Sequence, residues 1–146
     1  MVVVMAGTAW GFYGVPSVRG MAEADRERLA AGLAGIDAVF VPEDPETMAF
    51  FKGRGFRVFL SMNAFGGRGA WKTYPDARPV RADGRLLGEA KGKEGDDGGH
   101  GGICPTHAGW RAERLKRLEF LASRYLATGA ADGIWLDFIR YPGFWE

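Results

Sequence analysis

Short apolar runs alternate along this chain with segments whose apolar positions recur at helical spacing. Residues 2–6, Val-Val-Val-Met-Ala, are a continuous, largely β-branched run, the signature of a strand buried on both faces. Residues 10–19 carry Gly11, Gly14 and Pro16 and read as a loop. From about Arg19 to Gly35, Ala22, Leu29, Leu33 and Ile36 fall near one helical face, with acids and arginines opposite. Residues 37–42 predict a second buried strand. It runs into Asp44, suited to cap a helix, and Pro45, suited to the first helical position. That helix carries Met48 and Phe51 on one side and is stopped by Gly53 and Gly55. A third strand starts at Phe56 and leads to Asn63.

The stretch from about 64 to 106 breaks this rhythm, being rich in glycine and charge and without periodicity. Loops this long inside a compact domain are usually functional or disordered. Thr106 is the expected N-cap of a helix over 108–127, with Leu115, Leu118, Ala122 and Tyr125 on its apolar stripe and Gly129 at its end. Residues 132–138 predict the fourth strand. The order β-α-β-α-β-loop-α-β argues for an α/β fold of parallel β/α units with right-handed crossovers. Two architectures fit, an open doubly wound sheet and the first four strands of a TIM (β/α)8 barrel. A whole barrel takes about 250 residues, so 146 residues read as one partial barrel domain, 1–146.

Composition narrows the function classes. A net charge of +1 removes the bulk electrostatic case for nucleic acid or an anionic membrane. No apolar run approaches the roughly 18 residues of a membrane span. The first residues lack the basic stretch of a signal peptide, which favours the cytoplasm. One cysteine, Cys104, excludes an intramolecular disulfide. His100, Cys104 and His107 match no strong zinc spacing, and no dinucleotide or serine-hydrolase motif is present, so no metal or cofactor is expected.

In either architecture the chemistry lies at the carboxyl ends of the strands. There the expected strands leave Thr8, Trp10, Phe12 and Tyr13; then Glu43 and Asp44; then Asn63 and Phe65, with Trp71 and Tyr74 in the long loop; and finally Asp137, Arg140, Tyr141 and Trp145. Acids, an amide, a guanidinium and several rings suit a polyhydroxylated substrate, since carboxylates supply acid, base or nucleophile and rings stack on sugar faces. Each residue also has a plainer use. Asp137 can pair with Arg140, Glu43 and Asp44 can cap a helix, Asn63 can serve a turn, and the tryptophans can pack.

The closing segment, Asp132-Gly-Ile-Trp-Leu-Asp-Phe-Ile-Arg-Tyr-Pro142, follows a Cys104-Pro105 step before a helix and a Trp71-x-x-x-Pro75 segment. Together these resemble a family of bacterial glycoside hydrolases with an α-amylase- or galactosidase-like barrel. The likeness covers about residues 56–146 and is strongest over 102–142. It implies a (β/α)8 barrel whose fourth strand ends in the retaining nucleophile, here Asp137. It also implies that Arg140 and Tyr141 line the adjoining subsite, that Cys104 and Pro105 shape the entrance to the third helix, and that Trp71 lies in the loop over the site. The substrate so implied is an oligo- or polysaccharide cleaved at an O-glycosidic bond. In this reading Asn63, Trp10 and Glu43 contact the sugar beside Asp137.

The pattern departs from that family in one respect. The acid/base partner there comes from a later strand, and the local alternatives, Glu43, Asp44 and Glu146, are poor substitutes. The chain is therefore expected to be incomplete as a hydrolase, and to self-associate or meet a missing C-terminal half through bare sheet edges. A non-catalytic carbohydrate-binding barrel fragment is the main alternative. A metal-assisted enzyme on an open sheet, using Asp137, Glu43 and Asn63, is another.

Overall fold

The structure is a computed structural model that describes residues 2–6, 9–66, 69–80, 84, 86 and 102–137. Its core is a five-stranded sheet in the order β1-β2-β3-β4-β5. The strands are β1 (Val2–Ala6), β2 (Ala9–Tyr13), β3 (Ala38–Val41), β4 (Arg57–Asn63) and β5 (Gly133–Asp137). The helices are α1 (Glu23–Ala31), α2 (Pro45–Lys52), the single turn α3 (Ala70–Thr73) and α4 (Ala108–Leu121). A 3-10 turn follows α3 at Pro75–Ala77, and α4 continues as a π-helical segment, Ala122–Leu126.

The first strand of the parallel sheet is not the run at 2–6. β1 pairs antiparallel with β2, from Val2 opposite Tyr13 to Ala6 opposite Ala9. The reason is length: parallel neighbours need a crossover of a dozen or more residues, and only residues 7 and 8 separate these strands. The stretch expected to be loop therefore supplies the first parallel strand. β2 pairs in parallel with β3 and β3 with β4, in a register that aligns Tyr13, Phe40 and Phe59. β5 joins β4 in the same direction: Asp132 N–H donates to Val58 O at 2.7 Å, and Ala64 N–H to Asp137 O at 2.8 Å. β2 to β5 thus form an α/β parallel sheet. The outer edge of β2 is paired by β1.

The four parallel strands follow one another in sequence order with no reversal. A doubly wound sheet reverses its order at a switch point. Burial along β4 alternates, with Val58, Leu60 and Met62 buried while Arg57, Phe59, Ser61 and Asn63 are not. β3 lies between two strands and is buried at all four residues.

Contacts divide the chain into two compact units, Met1–Met62 with Phe120–Trp135, and Asn63–Glu119 with Leu136–Glu146. The first has an apolar core that includes Val18, Val39, Val41, Met48, Phe51, Val58, Leu60 and Leu121. The core of the second is built from Ala70, Trp71, Ala77, Ile103 and Trp110, with Tyr74 against it. That unit contains much of the stretch read as an unstructured loop. Two helices also differ from their pattern. α1 buries none of its own residues, since Leu33 lies past its end. On α4 and its extension the buried positions are Trp110, Leu121 and Tyr125, while Leu115 is exposed.

In the first unit, Asp44 holds the turn after β2 against the start of α2. Its carboxylate caps α2 through Glu46 N–H and accepts from Ser17 Oγ (2.5 Å), Thr47 Oγ1 (2.6 Å) and Arg19 Nη2 (2.8 Å). Thr47 Oγ1 in turn accepts from Val18 N–H at 2.9 Å. These bonds, Ser17 foremost, outweigh burial and lower the Asp44 pKa to about 2. Because the folded pKa is depressed, this stabilisation is present above the ordinary value of 3.8 and is lost as pH falls through about 2. We expect Asp44→Asn to cost roughly 2 kcal/mol at neutral pH. It should also remove most of the acid-dependent loss in that window, read by urea unfolding at a series of pH values. An unchanged acid limb would show that Asp44 does not link the turn to stability.

Candidate functional site

The carboxyl ends of β4 and β5 bring Asn63 and Asp137 side by side. The bond from Ala64 N–H to Asp137 O closes the ladder there, which sets the two residues about one strand spacing, ~5 Å, apart. Period two puts Asn63 on the same side of β4 as Phe59 and Ser61, and Asp137 on the same side of β5 as Gly133 and Trp135. Those sides correspond: a Cβ on Gly133 would come within 2.6 Å of the Phe59 ring. The Asn63 Oδ1 is buried and has no hydrogen-bond partner. An acceptor in that state costs about 1–3 kcal/mol, and it lies beside the acid expected to carry the chemistry.

Within the first unit, the sheet face that bears Phe59 is aromatic. Phe40 stacks on Phe59 at 5.4 Å and meets Trp135 edge-on at 4.9 Å, and Tyr13 lies 6.1 Å from Phe40. The Tyr13 hydroxyl is 3.3 Å from Ser61 Oγ. This row was not singled out from sequence, although the alternation along residues 57–63 carries its phase.

The other expected site residues have different settings. Trp10 lies at the amino end of the parallel sheet, not the carboxyl end. It precedes Gly11, which pairs with Ala38 at the start of β3, and it exchanges backbone and side-chain bonds with Asp37. Its expected position rested on a first strand at 2–6, so the correction to β2 moves it to the opposite end. Trp71 is 6% exposed in the core of the second unit, with Nε1 donating to Gly102 O at 2.7 Å and Arg78 4.4 Å over its ring. It is a packing residue, because both its polar edge and its face are occupied. Glu43 follows β3 as expected, and its Oε1 accepts from the buried Tyr125 hydroxyl at 3.0 Å. The π-helical segment positions Tyr125 for this, with Ala127 N–H reaching back to Ala122 O at 3.0 Å. Asp44 serves as the cap of α2. Arg140 and Tyr141, like Thr8, His100, Trp145 and Glu146, lie outside the described residues.

Cys104 and His107 organise the start of α4. His107, not Thr106, takes the capping position, its Nδ1 accepting from Trp110 N–H at 3.1 Å while its Nε2 bonds Asp76 at 3.1 Å. The Thr106 hydroxyl, 3.0 Å from Cys104 Sγ, together with nearby backbone N–H groups holds the thiol pKa below its ordinary value. Among the described residues no three of His, Cys, Asp or Glu gather as a metal ion requires. Nor is any described helix long and apolar enough to cross a membrane.

No family model, no curated protein and no solved structure matches the chain. The reading of the site therefore rests on its own chemistry.

The fit of Gly133 under Phe59 offers a direct check on the ring-bearing face. Gly133→Ala is expected to destabilise by about 1–3 kcal/mol, since a methyl group must displace a packed ring. Adding Phe59→Leu should recover part of that loss in urea unfolding. Equal stability of Gly133→Ala and the parent would mean that the rings are not packed as described.

Proposed function

We propose that the chain is a glycoside-hydrolase-type domain built on the first β/α units of a (β/α)8 barrel, acting on an oligo- or polysaccharide with Asp137 as its principal acid. The observation that carries this reading is the position of Asp137 at the carboxyl end of β5, on the side of the strand that bears Trp135 and beside Asn63. Parallel β/α folds put their chemistry at that end, and the sequential strand order is the order a singly wound barrel uses. The closing Asp132-Gly-Ile-Trp-Leu-Asp-Phe segment adds the family resemblance.

In such a mechanism the Asp137 carboxylate attacks the anomeric carbon, or stabilises the oxocarbenium-like charge that develops there. A second carboxyl group protonates the leaving oxygen. In the second unit Asp76 is bonded to His107, and Glu113 to Tyr74 and Arg114. The immediate neighbour of Asp137 on β4 is thus an amide, not an acid. This favours a second reading, sugar binding without turnover.

Aryl glycosides of both anomers and neutral oligosaccharides, assayed with the parent chain and with Asp137→Asn, separate the two. Hydrolysis that falls by about 10²–10⁴-fold in Asp137→Asn supports the catalytic role. Binding without hydrolysis, unchanged in Asp137→Asn, supports the binding module instead. Neither binding nor hydrolysis by the parent chain overturns the carbohydrate reading altogether.

A further inference from the structure

We infer that Asn63 is a ligand-reading amide whose oxygen accepts a hydroxyl hydrogen from a neutral sugar held against Asp137. This inference rests on the carbohydrate reading above and goes beyond it by naming the residue that selects for a hydroxyl at that point.

The contrast with Asp44 carries the argument. Both are polar side chains at the carboxyl end of a parallel strand, each with oxygen atoms withdrawn from solvent. Asp44 accepts from three side chains and a backbone N–H, so its burial is fully compensated. Asn63 is only partly buried, yet its Oδ1 is sealed from solvent and accepts from nothing. Orphaned acceptors of this kind are rare in folded proteins and call for a specific explanation. An apolar residue of similar size would avoid the penalty at no cost to the strand, so the position departs from the stability optimum in the way that sites of function do.

Geometry limits what can relieve it. The Asn63 amide and the Asp137 carboxylate belong to adjacent strand ends in hydrogen-bond register. The terminal amide torsion of asparagine is soft and roughly two-fold. The oxygen can therefore turn from its inward setting toward the strand end when a donor arrives there. An oxygen so turned accepts from a hydroxyl group of a sugar ring lying over the strand end. A divalent calcium ion would need six to eight oxygens, and no cluster of three acidic or metal-ligating residues forms among the described residues.

The test combines stability with binding. Asn63→Leu and Asn63→Ala are compared with the parent chain in thermal unfolding. They are also compared in calorimetric titration with maltotriose, cellotriose, xylotriose and galactobiose. Asn63→Leu is expected to raise Tm by about 2–6 °C. Both variants are expected to weaken the binding of whichever sugar the parent takes by roughly tenfold. A lower Tm for Asn63→Leu together with undiminished sugar binding by Asn63→Ala would make the amide structural and overturn the inference. Undiminished binding by both variants overturns it whatever the Tm, while leaving the carbohydrate reading intact. Failure of the parent to bind any of the four sugars sinks that reading first, and the ligand named here with it. A rise in Tm with calcium chloride that Asn63→Ala abolishes would replace the hydroxyl by a cation.

Discussion

Parallel strands can be joined only by a connection long enough to carry the chain back to its starting edge, and most of this structure depends on that constraint. Between β2 and β3 the return segment holds α1, between β3 and β4 it holds α2, and between β4 and β5 it holds α3, the 3-10 turn and α4. Each strand is laid beside its predecessor, and within the first unit one face of the sheet carries the rings of Tyr13, Phe40, Phe59 and Trp135. The same constraint gathers the strand ends. Tyr13, Val41, Asn63 and Asp137 are all last residues of parallel strands. The acid and the amide are therefore neighbours, although 74 positions separate Asn63 from Asp137 in the sequence.

The constraint also accounts for what the sequence displayed and what it concealed. β3, α2 and β4 were legible because each is governed by local rules: a run buried on both faces, an Asp-Pro start with a glycine stop, and an alternating strand. The direction of a strand is not such a property. Val2–Ala6 reads as a buried strand whichever way its neighbour runs. Only the two residues between it and β2, Gly7 and Thr8, make the pair antiparallel, and a two-residue connection beginning with glycine is itself a hairpin signal. Taking that run as the first parallel strand displaced Trp10 to the wrong end of the sheet.

The second unit was illegible for a different reason. Its core of Trp71, Ala77, Ile103 and Trp110 has no period, because it is assembled from a single helical turn, a 3-10 turn and the flank of one long helix. The indole N–H groups of Trp71 and Trp110 end on the carbonyls of Gly102 and Ala64. Bonds of that sort identify packing tryptophans, yet they join residues 31 and 46 positions apart and leave no local trace. Composition alone could not tell a ring that stacks on sugar from a ring that fills a core. On α4 the expected stripe held at Tyr125 but not at Leu115, which is exposed, while Trp110 and Leu121 are buried instead.

The setting of Asp137 and Asn63 at strand ends was legible because each is a polar residue that closes an apolar run. What separates Asn63 from Asp44, Glu43 and His107 is not residue type but the state of its side-chain oxygen. Asp44 binds a turn to a helix, Glu43 receives the Tyr125 hydroxyl, and His107 caps α4. Each of these holds two segments together and is engaged in doing so. A buried amide oxygen with no donor holds nothing together in the free chain. Folding alone would favour its replacement by an apolar residue, since the unmet acceptor opposes stability. Its setting beside Asp137 makes sense when the missing donor comes from outside the chain.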